Sequence, residues 1–152
     1  MFEVIDISPK IGSEVRIDRA DFLAGTHARE IEQLLVDRTA LVFRGMHLTG
    51  EEQRQFAGTI GTVTQQGDEG LSLISMNTEV SSVAGYTRGA FYWHIDGAND
   101  PIPAKATMLS AQVLADEGGD TLICNTYAAY ADLPAAEKQA LEGIRVRHAL
   151  EA

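Results

Sequence analysis

Cysteine is almost missing: Cys124 is the only one in 152 residues, so no disulfide can close within the chain. Basic residues are scarce too. Lys plus Arg number 12 against 22 Asp plus Glu, which gives a net charge of −10 and a pI near 4.7. So acidic a chain is a poor general binder of phosphate backbones, which argues against a nucleic-acid partner. A small anionic substrate needs only one local cation and stays open. Long apolar runs are absent, so no segment is read as crossing a bilayer and no membrane partner is expected. Proline- or glycine-rich tracts and repeats are absent as well. Residues Met1 to Asp6 carry no basic region followed by an apolar stretch, so no secretory leader is read and the expected location is the cytoplasm.

What is present is enough apolar material for a core. Apolar residues make up 45% of the chain and the mean hydropathy is −0.08, too apolar for a disordered tail. Phe2 to Ile7 alternates as a strand does, Pro9, Gly12 and Ser13 mark a turn, and Glu14 to Ile17 reads as a second strand. Ala28, Ile31, Leu34 and Leu35 recur at helical spacing within 26–38, with Thr26 as the expected N-cap. Ala40 to Phe43 reads as a buried strand. Thr49-Gly50-Glu51-Glu52 is a capping-box pattern opening a helix that ends near Gly61. Further strands are expected at Leu71–Met76, Phe91–Ile95, Ala104–Leu114, Thr121–Asn125 and Ile144–Leu150, with a turn at Gly118-Gly119-Asp120. Pro134 is expected at the first position of a last helix that stops at Gly143. Cys124, inside Thr121-Leu122-Ile123-Cys124, reads as a small core residue. Front helices followed by short strands predict an α+β fold whose β part is a sandwich or barrel.

The sharpest local feature is Trp93-His94-Ile95-Asp96. On a strand, residues i and i+2 share a face, so His94 and Asp96 could offer an imidazole nitrogen and a carboxylate to one metal ion. Two His and one carboxylate on one face of an octahedron leave three positions open, the arrangement of non-haem Fe(II) oxygenases. The tripeptide alone is weak, since a chain of this composition holds about a quarter of one His-x-Asp by chance. On its own it is read more readily as a hydrogen-bonded His and Asp on a strand face.

The order of the surrounding motifs is more specific. His94-Ile95-Asp96, the loop Pro101-Ile102-Pro103-Ala104, Met108-Leu109-Ser110-Ala111, the turn Gly118-Gly119-Asp120-Thr121, and Ala129-Tyr130 with Leu133-Pro134 follow one another. Together with Leu41-Val42-Phe43-Arg44-Gly45, Gln53, Phe56-Ala57 and Ile60-Gly61, this series resembles the TauD/TfdA family of Fe(II)- and 2-oxoglutarate-dependent dioxygenases over nearly the whole chain. The resemblance implies a double-stranded β-helix (jelly-roll, cupin-like) core with flanking helices. It implies His94 and Asp96 as iron ligands and catalytic residues, and Thr121 as the hydroxyl that bonds the distal carboxylate of 2-oxoglutarate. It implies Fe(II), 2-oxoglutarate and O2 as cofactor and co-substrates, and Trp93 as a packing residue near the iron. The implied reaction is hydroxylation of a small organic substrate, acids included, with release of succinate and CO2. A carboxylate at Asp96 goes with hydroxylation, because halogenating relatives leave that ligand position to a non-coordinating residue.

In the family the second iron histidine and the 2-oxoglutarate arginine lie far downstream of the His-x-Asp. Residues 1–152 are therefore expected to be the N-terminal portion of a single dioxygenase domain, incomplete at the C-terminus. The runner-up expectation is a truncated or degenerate relative without catalysis. A third is a cupin-like metal protein using His94 and Asp96 without 2-oxoglutarate. His27 is read as a solvated helix residue, His47 as an ordinary loop residue and His148 as a strand residue that is not a ligand. Arg88 reads as a solvated loop arginine, and Phe91 and Tyr92 as an aromatic wall. The expected partner is a small-molecule substrate, with a homo-oligomer left open.

Overall fold

Phe2–Asp6 (β1) and Ser13–Ile17 (β2) pair antiparallel, with Phe2 opposite Ile17 and Asp6 opposite Ser13. The computed structural model describes residues 1–64, 71–81, 92–98 and 100–147. A hairpin bond from Ile7 N–H to the Gly12 carbonyl, 3.0 Å, closes the β1–β2 turn. Leu41–Val42 (β3) adds parallel to β2, so β2 is the central strand of a three-stranded mixed sheet. Its alternation is complete: Ser13, Val15 and Ile17 are buried while Arg16 is exposed.

The parallel step from β2 to β3 requires a crossover, and two helices supply it. They are α1, Arg19–Leu23, and α2, Ala28–Arg38. A further helix, α3, Gly50–Ile60, follows β3. Each helix buries one apolar residue: Phe22, Ile31 and Phe56. The Phe22 ring stacks on Phe56 at 3.6 Å between centroids and tilts against Phe43 at 5.0 Å. With Val15, Ile17 and Leu48 these residues form the core.

Polar groups fasten the same region. Arg38, in the last turn of α2, donates to Ser13 Oγ at 2.9 Å and to the Gly12 carbonyl at 3.1 Å. The fully buried Ser13 hydroxyl donates in turn to Asp6 at 2.8 Å. A buried hydroxyl without partners would be costly, so this chain of bonds offsets the burial of Ser13. Gly25, between α1 and α2, takes a left-handed φ of +67°, and a Cβ there would lie 2.7 Å from Thr59 Cγ2. That gap is the close approach of the α1–α2 turn to α3.

The capping box at α3 forms as the sequence predicts. Glu52 N–H donates to Thr49 Oγ1 at 3.2 Å, and Thr49 N–H donates to Glu52 Oε2 at 2.9 Å. The Thr49 N–H, and after it the guanidinium of Arg19, hold the Glu52 carboxyl below the usual carboxylate range. A lowered pKa adds stability above the unfolded-chain value, about pH 4.3, and that stability is lost as pH falls through the folded value. In urea titrations the advantage of the wild type over Glu52→Gln should be present at about pH 6 and disappear towards about pH 3. A gap that stays constant with pH would show that the carboxylate charge contributes nothing.

Two more helices follow: α4, Thr126–Asp132, and α5, Ala135–Leu141. Asn125 caps α4 through Oδ1, which accepts from Ala128 N–H at 3.0 Å, and its Nδ2 donates to the Lys10 carbonyl at 2.8 Å. The described residues fall into two compact units. The first comprises Met1–Gly61 and Ser110–Arg145, and the second is drawn from the described residues of Thr62–Leu109 and Val146–Ala152. Among the described residues no helix is long and apolar enough to cross a membrane.

Several sequence expectations need correction. His27, not Thr26, is the N-cap of α2, because Thr26 N–H is bound to the Asp21 carbonyl in the turn that ends α1. Pro134 is the N-cap of α5 rather than its first residue; its ψ of 147° is extended, and its carbonyl accepts the bond from Lys138 N–H. The segments Leu71–Met76, Tyr92–Ile95, Ala104–Leu114, Thr121–Asn125 and 144–147 form no strand ladder. Their alternating pattern states which side chains favour a covered face, but a strand exists only where a neighbour supplies hydrogen bonds. Apolar residues in them accordingly stand exposed, Val113 at 91% and Leu122 at 73%. Cys124 is exposed for the same reason, not a core residue.

Candidate metal centre

The segment from Tyr92 to Asp100 belongs to the second unit. His94 and Asp96 do come together: His94 Nε2 lies 3.2 Å from Asp96 Oδ1. Both side chains are about half exposed. The route to this contact differs from the expected one. Residues 93–95 are not in a strand, and Asp96 to Ala98 form a turn. Ala98 N–H donates to the Ile95 carbonyl at 3.3 Å, and Asp100 N–H donates to the Gly97 carbonyl at 2.9 Å. Gly97 takes φ +66°. A four-residue turn with positive φ at its third position is the type II pattern, which calls for Gly or Asn there. Asp96 therefore sits at a turn corner with its carboxylate directed back to the preceding His94.

The second ring nitrogen is also engaged. His94 Nδ1 lies 2.7 Å from the Tyr92 carbonyl oxygen. A carbonyl can only accept, so Nδ1 carries the hydrogen and donates it. Nε2 is then the ring nitrogen left to face the Asp96 carboxylate oxygen, and the two atoms could serve one cation together. Metal-bound imidazoles commonly have their other N–H fixed by a carbonyl or carboxylate in this way. At a separation of 3.2 Å both atoms could be donors to one metal ion. The donor set, one imidazole nitrogen and one carboxylate oxygen, suits a borderline divalent metal such as Fe(II). Among the described residues, no group of three or more His, Cys, Asp or Glu gathers around a common point.

The remaining predicted residues lie elsewhere. Thr121 is in the first unit, exposed, just after Gly118 and Gly119, whose φ values are both positive; the bend in this stretch falls at 116–117 and not at the expected 118–120. Trp93 is 69% exposed and does not pack as expected. His27 is not the solvated residue predicted: its ring stacks on Phe2 at 4.4 Å and Nδ1 lies 3.3 Å from Glu30 Oε1. His47 is exposed in the loop after β3, with φ +44°. His148, Arg88 and Phe91 lie outside the described residues. The reading from sequence missed the Tyr92 carbonyl and Gly97. A glycine directly after His-x-Asp was a visible turn signal, whereas a backbone acceptor leaves no trace in residue type.

Comparison with known proteins gives a consistent result. The family model for taurine catabolism dioxygenase TauD, TfdA family, matches residues 3–152. The alpha-ketoglutarate-dependent 2,4-dichlorophenoxyacetate dioxygenase of Cupriavidus pinatubonensis is 34% identical over 150 residues, covering 87% of this chain and 52% of that protein. The (S)-phenoxypropionate/alpha-ketoglutarate-dioxygenase of Sphingobium herbicidovorans is 29% identical over 129 residues, covering 80% and 44%. The crystal structure of AAD-2 in complex with Mn(II) and N-oxalylglycine superposes with a TM-score of 0.75 at 26% identity, over 93% of this chain and 50% of that one. The chain spans about half the length of the curated relatives it matches.

Proposed function

The chain belongs to the TauD/TfdA dioxygenase family, and on that premise we propose that it carries the iron-holding portion of an Fe(II)- and 2-oxoglutarate-dependent dioxygenase. In this reading residues 1–152 are the N-terminal portion of one catalytic domain with a double-stranded β-helix core. The observation that carries it is the convergence of His94 Nε2 and Asp96 Oδ1 at 3.2 Å with the other ring nitrogen already engaged.

The residues take distinct roles. His94 Nε2 and the Asp96 carboxylate would hold the metal, and the Tyr92 carbonyl keeps the imidazole in the tautomer that leaves Nε2 free. The Thr121 hydroxyl would donate to the distal carboxylate of 2-oxoglutarate. Fe(II) with 2-oxoglutarate and O2 would supply the oxidant for hydroxylation, with one oxygen atom going to the substrate and the other to succinate as CO2 is released. The protein's share is to bind, orient and exclude water. The substrate proposed is a small organic acid, because the names of both relatives described above specify aryloxy carboxylates. The neutral-pH charge of −10 makes a local cation at the substrate necessary.

Anaerobic addition of Fe(II) and then 2-oxoglutarate to the full-length protein should produce a visible metal-to-ligand charge-transfer band. A folded full-length protein with no such band would instead be a non-catalytic relative or a metal protein that works without 2-oxoglutarate. Thr121→Val should raise the 2-oxoglutarate concentration needed for half-maximal signal by roughly tenfold, the worth of one charge-assisted hydrogen bond. An unchanged midpoint would remove Thr121 from the 2-oxoglutarate site.

A further inference from the structure

We propose that Gly97 is the positioning residue of the metal pair, an inference that rests on the reading of His94 and Asp96 as metal ligands. The pair does not owe its convergence to a strand. It depends on the turn from Ile95 to Ala98, closed by the Ala98 N–H to Ile95 carbonyl bond of 3.3 Å. The position after the corner carries φ +66°, a region that L-residues other than Asn and Asp seldom enter. The space is also taken. A Cβ on Gly97 would lie 3.1 Å from Asp100 Oδ2 and 3.7 Å from the Ala104 backbone nitrogen. The first of these is tight enough that the carboxylate would have to give way.

The left-handed backbone is therefore what selects the residue; the close approach of the next turn is made by the end of the Asp100 side chain, which can give by a few tenths of an ångström. That next turn is tied in by Asp100 N–H on the Gly97 carbonyl at 2.9 Å. A side chain at 97 pushes φ back towards negative values. Because the Asp96 carbonyl group and the Gly97 amide share one peptide plane, that change rotates the corner on which Asp96 stands. Asp96 is one residue from the hinge and its carboxylate must meet His94 within a few tenths of an ångström, so a small rotation suffices to separate the donors. Gly97 touches neither metal nor substrate in this account; it acts through Asp96.

The test is Mn(II) binding to the protein, followed by loss of the free hexaaqua Mn(II) signal in electron paramagnetic resonance. Wild type, His94→Ala, Gly97→Asn, Gly97→Ala and Gly97→Val are compared, with circular dichroism melting as the check on folding. Asparagine tolerates the left-handed region, so Gly97→Asn should bind within about twofold of wild type. Gly97→Ala and Gly97→Val should bind at least about tenfold more weakly. If Gly97→Val does not fold, Gly97→Ala carries the comparison. Ala and Val variants that bind as wild type does overturn the role of Gly97 and leave the metal pair standing. An Asn variant as weak as the Val variant also overturns it, because backbone conformation would not then be the variable. Wild-type binding no tighter than that of His94→Ala overturns the pair and the role of Gly97 together.

Discussion

Replacing His94 by alanine should abolish Fe(II) binding and leave the fold intact. Both halves of this expectation follow from where the residue sits. Its side chain is half exposed, and its contacts are with Tyr92 and Asp96 within the same short segment. Substitutions at such surface positions usually change stability by less than about 0.5 kcal/mol. The melting temperature should therefore move little. The metal, by contrast, loses one of the two donors that converge here. Removing even an outer hydrogen-bond partner of a metal ligand costs about tenfold to hundredfold in affinity, so deleting the ligand itself should exceed about hundredfold. Asp96→Asn provides the companion measurement. It keeps an oxygen donor and the turn but loses the negative charge opposite the cation, so binding should weaken without vanishing. Calorimetric titration with Fe(II) under anaerobic conditions reads both. Unaltered binding in His94→Ala would sink the assignment, and lost binding with a lost fold would make the loss of the fold, not of the ligand, the cause.

The largest stability effect is expected at Phe22, where alanine should destabilise the chain by about 3–5 kcal/mol. Phe22 is fully buried, lies flat on Phe56 at 3.6 Å and meets Phe43 at 5.0 Å. It packs α1 against α3, and the paired rings add to the simple area term. The described core consists of only six buried apolar residues, all in the first unit. Total stabilities of about 5–15 kcal/mol leave little after such a loss, so Phe22→Ala should be largely unfolded at 37 °C. Phe22→Leu should recover part of the loss by refilling the cavity. Urea unfolding of Phe22→Ala, Phe56→Ala and the double variant separates the stack from burial, since residues in contact should fail to add. A Phe22→Ala chain with an unchanged urea midpoint would mean that the stacked rings do not organise the core.

The front of the chain was legible because its signals are local. The alternation of Phe2–Asp6, the apolar spacing of α2 and the Thr49–Glu52 box each act within a few residues, and each element formed where expected. The short helices α1 and α4 were not legible. Five and seven residues are too few for a helical period to stand out, and Asn125, the cap of α4, lay hidden at the end of an apolar run. The later strands failed for a different reason. Their patterns are those of half-covered strands, but hydrogen-bonded pairing is a property of two segments, and the pattern of one does not name the other.

The metal pair divides in the same way. The residue types of His94 and Asp96, two donors one residue apart, follow from sequence alone, and with the ordered motifs around them they place the chain in its family. How the donors meet was decided by the three-dimensional structure. A strand and a type II turn can both bring positions i and i+2 to one side, and residue identity does not choose between them. The choice depends on the backbone angle at Gly97 and on the carbonyl that holds His94 Nδ1, both set by how the segment closes on itself. Donor chemistry is carried by side chains and is readable one residue at a time; donor direction is carried by backbone dihedrals and hydrogen bonds, which exist only after folding.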